Sequence, residues 1–310
     1  KAKLAYIADA LPQAAADLAS VHGAAVKGVD EIMAAKDVDA VLIGSPTGFH
    51  AAQIQQASHA GKAIMCEKPV SLDVATIHET LKVVEKNKST LMIGFNRRFD
   101  PNFAELERRV RAGAVGAIEM VTVISRDPAP PPADYVKGSG GIFRDMMIHD
   151  LDMARFLMGE DFVLVQALGA ALVDPAIGAA GDVDTAAVQM QTASGRIAVI
   201  TNSRRATYGY DQRMEVHGAK GMLSAKNIHN TTVELHDGAG TQADPILNFF
   251  LERYGQAYAN ELNSFIAAVE SGNRDPRPSG LDGLKARAAK VQVTGGRAYN
   301  PGWHLALDLN

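Results

Sequence analysis

Between Leu4 and Phe95 short apolar runs alternate with stretches of helical period. That alternation restricts this part of the chain to a parallel sheet wrapped by helices. Leu4 to Ala8, Ala24 to Val26, Ala40 to Gly44, Ala63 to Cys66 and Thr90 to Phe95 read as strands. Pro12 to His22, Asp30 to Lys36, His50 to Ala60, Val74 to Asn87 and Asn102 to Ala112 read as helices. From Ile118 the pattern changes to β-branched, alternating segments: 120–125, 163–173, 185–191, 196–203, 214–217 and 232–236. Apart from one helix near residue 150, these lack the intervening helices of a crossover topology, so they predict a largely antiparallel, open sheet. The expected fold class is therefore an α/β parallel-sheet domain followed by an α+β domain. The expected boundaries are 1–115 and 116–280, with a C-terminal helix and tail, 281–310, returning to the first domain. Arg126-Asp-Pro-Ala-Pro-Pro-Pro-Ala133 is too short for a linker and reads as a rim loop over a cleft.

Composition narrows the function. A chain of 310 residues, 47% apolar and 21% charged, is long enough for two cores. The net charge of −4 argues against a nucleic-acid or anionic-membrane surface. No window holds eighteen consecutive apolar residues, so no membrane span is expected. The start, Lys1 to Asp9, does not read as a signal peptide, because its apolar run is short and ends in an acid. A single cysteine, Cys66, leaves no intramolecular disulfide and no cysteine-rich metal site, and it points to a reducing, cytoplasmic setting.

The stretch Ser139-Gly140-Gly141 to Asp152 carries the densest chemistry. It opens on a turn signal and runs into a helical pattern that ends at Gly159. In one helix, Asp145, His149 and Asp152 would fall at i, i+4 and i+7, on one face among Met146, Met147, Ile148 and Leu151. A titratable row on a buried helix is costly unless it is paired or used. By itself the row is equally a core histidine with capping acids.

The first domain offers a second group. Ligands of open α/β sheets bind at the carboxyl edge of the strands. Ser45-Pro46-Thr47, Glu67-Lys68-Pro69 and Asn96-Arg97-Arg98-Phe99 follow three consecutive strands at that edge. Lys68, pinned between an acid and a proline, can sit close to a substrate hydroxyl. Adjacent arginines are more often solvated than functional, so Arg97 and Arg98 are not assigned. Asp9, past the first visible strand, suits an acid on the adenosine ribose hydroxyls and so favours NAD, or it caps the helix that begins at Pro12.

Glu67-Lys68-Pro69, Gly94 to Arg98, and Gly140 to Asp145 with His149 and Asp152 together resemble the Gfo/Idh/MocA oxidoreductases, in particular the inositol dehydrogenase branch. Ser203 to Arg213 and Glu215-Val216-His217-Gly218 are similar to that branch too, and the resemblance runs from about residue 3 to residue 287. It implies a Rossmann domain and a substrate domain, with NAD as cofactor. It also implies oxidation of a secondary alcohol of a cyclic polyol, myo-inositol first, to the ketone. Carried over by motif, the catalytic residues are Lys68, Asp145 and His149. Asn96, Asp152 and Tyr208 would bind substrate. Asp9, Ser45, Pro46, Thr47, His50, Glu67 and Lys68 would bind the cofactor. No metal is expected, since His149 has no second histidine at metal spacing and the hydride chemistry belongs to the nicotinamide. A small-molecule polyol is the expected partner, and a homo-oligomer, a tetramer in the family, the expected assembly. The alternatives are a dehydrogenase of another sugar or cyclitol, and a non-catalytic sugar-binding relative.

The family pattern begins with a strand and a turn of the G-x-G-x-x-G type, and residues 1–9 read as the second strand instead. Val291 to Thr294, with Gly295 and Gly296, reads as a strand entering glycines, followed by helix-like spacing to Asn310. The tail is unrelated sequence, an ordinary C-terminus, or the missing unit in permuted order. The last would lay Val291–Thr294 between the strands of Leu4–Ala8 and Val41–Gly44, with Asn310 close to Lys1.

Overall fold

A computed structural model of the chain describes residues 2–287. The segment 291–310, on which the permuted reading rests, lies outside the described residues. The chain divides into two compact units, Lys1–Gly94 with Glu261–Leu284, and Phe95–Asn260 with the chain from Lys285.

The first unit alternates as its sequence dictates: β1 (Tyr6–Ile7), α1 (Pro12–His22), β2 (Ala25–Val26), α2 (Val29–Ala34), β3 (Ala40–Ile43), α3 (Thr47–His59), β4 (Ala63–Glu67), α4 (Val74–Lys86) and β5 (Leu91–Gly94). All pairings are parallel, β1 with β2, and β3 with β4 and β4 with β5. Proline opens α1, where its missing N–H costs nothing, and Gly23 closes it in the left-handed conformation. Asp73 caps α4 by accepting the Thr76 N–H at 2.7 Å. Apart from Glu67 at its end, β4 is apolar, as is β5, with Ile64, Cys66, Met92 and Ile93 fully buried, as strands covered on both faces must be. Burial raises the Cys66 thiol far above its ordinary pKa, so it is an inert core residue.

Among the described residues the β1–β2 pair and the β3–β4–β5 trio form separate sheets. In the strand order 3-2-1-4-5-6 the interruption falls where the first strand belongs. Leu42, in the middle of β3, is 60% exposed, which a strand flanked on both edges and covered on both faces would not be.

The second unit opens on a 3-10 turn, Asn96–Phe99, and α5 (Pro101–Arg111). It continues with β6 (Ile118–Arg126), α6 (Ala133–Ser139), α7 (Ile142–Asp145), α8 (Ile148–Met158), β7 (Phe162–Ala170), α9 (Pro175–Ala179), β8 (Thr185–Thr192), β9 (Ile197–Ser203), β10 (Asp211–Gly218) and β11 (Gly221–Ala225). A hairpin, β12 (Glu234–Asp237) and β13 (Gly240–Ala243), precedes α10 (Phe250–Ser271) and α11 (Gly280–Arg287). The six-stranded sheet has the order β11-β10-β6-β9-β8-β7. Only β6 and β9 pair in parallel, and the rest are antiparallel. Strict alternation puts Val121, Val123, Ala198, Ile200, Met214 and Val216 into one core with Met147, Leu151, Ala154 and Leu157 of the α8 region.

The join between units falls at Gly94/Phe95, not after residue 115. The reason is the buried face of α5, whose Phe103, Leu106 and Val110 belong to the core of the second unit. At the other end Glu261–Leu284 groups with the first unit, where Pro278 accepts the Ile93 N–H at 2.9 Å beside β5.

Candidate functional site

In the first unit the candidate residues gather at the carboxyl ends of β1, β3 and β4. Asp9 lies exposed two residues past β1 and accepts the Leu11 N–H at 2.7 Å through Oδ1. Asp9 does not cap α1, whose N-cap is Leu11 with no side-chain cap hydrogen bond; it shapes the turn that precedes the helix. Ser45, Pro46 and Thr47 form the turn from β3 into α3, and no side chain caps the first N–H groups of that helix. Ser45 is steadied by its hydroxyl, which donates to Gln53 Oε1 at 2.6 Å. His50 is a brace. It is buried, and its ring nitrogens lie 2.6 Å from the Ser45 carbonyl oxygen and 2.8 Å from that of Pro69. It ties the Ser45–Thr47 turn to the Glu67–Pro69 turn, so it serves a ligand only through those two loops.

Glu67 ends β4, half-buried, with its carboxyl packed against Gly94. A Cβ on Gly94 would lie 3.1 Å from that carboxyl, so a larger residue there would have to push the Glu67 side chain aside by a few tenths of an ångström. Lys68 follows, its N–H 3.3 Å from Glu67 Oε2. Burial raises the Glu67 pKa, and the Lys68 ammonium works against that rise.

Glu261, at the first-unit end of α10, was not legible as special in the sequence. Its side chain is fully buried, and neither carboxyl oxygen has a hydrogen-bond partner among the described residues. Desolvation, with Glu67 adding like charge, pushes its pKa up to about 9. The sign of the consequence is fixed. In the folded chain the proton stays on until about pH 9, whereas in the unfolded chain it leaves near 4.5. The folded state binds the extra proton between these values, so stability falls as pH rises through that window. Glu261→Gln, which removes the titration, is expected to gain on the parent chain by about 1.4 kcal/mol per pH unit. The gain reaches on the order of 3 kcal/mol at pH 7 and levels off above pH 9. Urea unfolding of both chains at pH 5, 7 and 8 measures it, and a pH-independent difference would contradict it.

In the second unit the expected single helix is two. α7 ends at Asp145, Met146 and Met147 intervene, and α8 starts at Ile148. Asp145 and His149 are therefore not on one helix face. The break is set upstream: Gly140 and Gly141 both have positive φ, and a Cβ on Gly141 would lie 2.5 Å from Asp182 Oδ1. The Asp182 carboxylate accepts the Ile142 N–H at 3.0 and 3.2 Å, fixing where α7 begins. His149 is half-buried, its ring edge-on to Phe95 at 6.2 Å. Asp145 Oδ1 accepts the Tyr135 hydroxyl at 3.0 Å, and Oδ2 lies 3.6 Å from Arg204 Nη2.

Asp152 is corrected by the structure. It is fully buried, and its two oxygens take Arg98 Nε at 2.7 Å and Nη2 at 2.5 Å. It is an ion-pair partner and has no surface for a substrate hydroxyl. The arginines left unassigned are buried as well. Arg97 is hydrogen-bonded to Asp150, which also accepts from Asn202 Nδ2 at 2.8 Å. Arg253 is held by Asp100, whose Oδ1 caps α5 through the Asn102 and Phe103 N–H groups at 3.1 Å each. The Arg97–Asp150 and Arg98–Asp152 pairs fasten the 3-10 turn to α8, and with it Asn96, which is buried with Oδ1 unpartnered among the described residues. Tyr208 is half exposed. Its hydroxyl accepts from Arg126 Nη1 and donates to Asp211 Oδ2, both at 2.7 Å, so the structure groups it with those two residues and not with Asp145. Asp127 and Arg204 were missed. Burial pushes Asp127 up to about 6, against the pull of Arg204.

The chain thus joins a parallel-sheet unit with acids and a lysine at its strand ends to a mixed-sheet unit that carries Asp145 at the end of α7 and His149 at the start of α8. Residues 1–95 match the model described as oxidoreductase family, NAD-binding Rossmann fold, and residues 103–224 match the GFO/IDH/MocA C-terminal domain. The chain belongs to the Gfo/Idh/MocA family of oxidoreductases. It is 54% identical over 287 residues to the inositol 2-dehydrogenase of Rhizobium meliloti, covering 93% of this chain and 87% of that one. The crystal structure of a myo-inositol dehydrogenase from Corynebacterium glutamicum superimposes with a TM-score of 0.88 at 45% identity, covering 92% and 85% of the two chains. The scyllo-inositol dehydrogenase of Lactobacillus casei, solved with NAD(H) and scyllo-inositol, gives 0.84 at 32% identity, covering 92% and 86%.

The first unit fits NAD at two ends. The open Oδ2 of Asp9 suits a ribose hydroxyl, and the uncapped start of α3 and the Glu67–Lys68 turn suit polar groups at the strand ends. Among the described residues no G-x-G-x-x-G turn supplies the pyrophosphate cradle.

Proposed function

We propose that the chain is an NAD-dependent inositol 2-dehydrogenase that oxidises myo-inositol to 2-keto-inositol. The observation that carries this reading is the half-buried His149 and Asp145, one short turn apart, in a chain 54% identical to an inositol 2-dehydrogenase. NAD, when bound, accepts the hydride from the carbinol carbon. The residues of the chain handle the rest. Lys68 donates to the reacting oxygen and stabilises its developing alkoxide character. His149 removes the hydroxyl proton as general base, and Asp145 pairs with it in the acid–base work. Loss of one hydride and one proton leaves the ketone. Asn96 is assigned to a substrate hydroxyl, and Tyr208, held by Arg126 and Asp211, is the second candidate for that role. Asp9, Ser45, Pro46, Thr47 and Glu67 hold the cofactor, with His50 bracing their loops.

The reading extends to assembly and setting. The outer face of the six-stranded sheet presents a cross-strand row of Met222, Met120, Ile197 and Leu164, all exposed. His217 and Gln191 interrupt that row, so the face is mixed; a homo-oligomer, a tetramer by family expectation, is read directly by sedimentation of the purified chain. A cytoplasmic setting is supported by the single buried cysteine. No helix among the described residues is long and apolar enough to cross a membrane.

The test is NADH formation at 340 nm with myo-inositol, scyllo-inositol and glucose, alongside the shift in melting temperature with NAD. Turnover fastest on myo-inositol is expected. Faster turnover of scyllo-inositol or glucose would move the reading to another cyclitol or sugar. No turnover and no shift would replace it with the sugar-binding relative.

A further inference from the structure

Asp145 ends α7, and its carboxylate meets side chains from two other parts of the second unit. Arg204, which follows β9, places Nη2 3.6 Å from Oδ2. That separation is an ion pair but too long for a hydrogen bond, so it favours the charge without fixing an angle. Tyr135, on α6, donates its hydroxyl to Oδ1 at 3.0 Å. This second contact is directional. The χ2 torsion of an aspartate is broad and roughly two-fold, so attraction at one oxygen alone leaves the carboxylate free to turn. A hydrogen bond at the other oxygen narrows that motion.

Tyr135 is placed for such a hold. Its neighbour Val136 is buried and anchors α6, and Gly140 closes that helix in the left-handed conformation. Tyr135 itself is 52% exposed, so core packing does not account for a tyrosine there. Partial burial and the adjacent Asp145 charge push its pKa up to about 12. The phenol therefore keeps its proton and stays a donor at any working pH.

We infer that Tyr135 is a positioning residue: its hydroxyl holds the Asp145 carboxylate in the orientation in which Asp145 shares the acid–base work with His149. This rests on the inositol dehydrogenase reading. A reacting group must be held within about 10–20° of its productive angle, and loosening it costs rate and not substrate affinity. Loss of the Tyr135 hydroxyl therefore falls on kcat, and only while Asp145 is present.

The experiment is steady-state kinetics with NAD and myo-inositol on the parent chain, Tyr135→Phe, Asp145→Ala and the double variant, with the melting temperature of each. Phenylalanine keeps the ring and removes only the donor. Tyr135→Phe is expected to lose about 10-fold in kcat, the low end for a hydrogen bond to a charged group, because water can enter at a half-exposed site. KM is expected to change by less than about 2-fold, and the melting temperature to stay at the parent's. In the Asp145→Ala background the same substitution is expected to change kcat by less than about 2-fold, because the group it positions is gone. Where Asp145→Ala turns over too slowly to compare, the split between kcat and KM in Tyr135→Phe decides. A merely structural tyrosine would lower the melting temperature and leave kcat of the folded protein unchanged. A direct substrate contact would raise KM and add its full loss to that of Asp145→Ala. Either result, with the parent active on myo-inositol, would overturn the inference alone. A parent inactive on every inositol would overturn the inositol reading and this inference with it.

Discussion

Replacing Lys68 or His149 by alanine is expected to cut kcat with NAD and myo-inositol by about 100-fold or more, with the fold and NAD binding retained in the His149 variant. Hydride cannot leave the carbinol carbon cheaply while the hydroxyl proton stays, because positive character would build on carbon. A base that is neutral near pH 7 must take the proton, and His149 is a half-buried imidazole next in space to the Phe95 ring. Alanine leaves water in its place, a far weaker base held by nothing. In the proposed reaction the Lys68 ammonium favours the alkoxide-like state over the alcohol, so its loss is expected to fall on kcat more than on KM. Near-parental turnover in either variant, measured by NADH absorbance on folded protein, would remove that residue from the mechanism.

Asp150→Ala is expected to cost the second unit about 3–5 kcal/mol. Asp150 is fully buried and accepts from both Arg97 and Asn202. Deleting it leaves the Arg97 guanidinium charged, dehydrated and short of its main acceptor, with only the Ser125 hydroxyl at 3.2 Å. That uncompensated charge sets the cost, so removing both partners is expected to be much milder. Arg97→Met combined with Asp150→Leu should recover most of the loss. Urea unfolding of the two variants and the parent measures both numbers. A single variant no less stable than the double would contradict the ion-pair account.

These residues show where sequence reading succeeds and where it stops. The period-two and helical patterns carried the parallel unit, the later sheet and most element positions, because which face is buried is a local property. The motif residues Lys68, Asp145 and His149 were also visible locally. What decided Arg97 and Arg98 was not: their partners Asp150 and Asp152 lie 53 and 54 residues away. Asp152 was read as a ligand for the same reason, since its pairing is non-local. The helical row through Asp145 failed at Gly140 and Gly141, whose positive φ answers to Asp182 some forty residues on. Glu261 gave no sequence signal at all, because burial without a hydrogen-bond partner is a property of the packed chain.

The central claim is hydride transfer from C2 of myo-inositol to NAD, with proton removal by the chain. Incubation of the protein with NAD and myo-inositol deuterated at C2, followed by mass analysis of the reduced nucleotide, tests it in one step. The account predicts one deuterium carried into NADH and slower turnover than with the unlabelled substrate. Reduced nucleotide free of deuterium, or none formed at all, would contradict it.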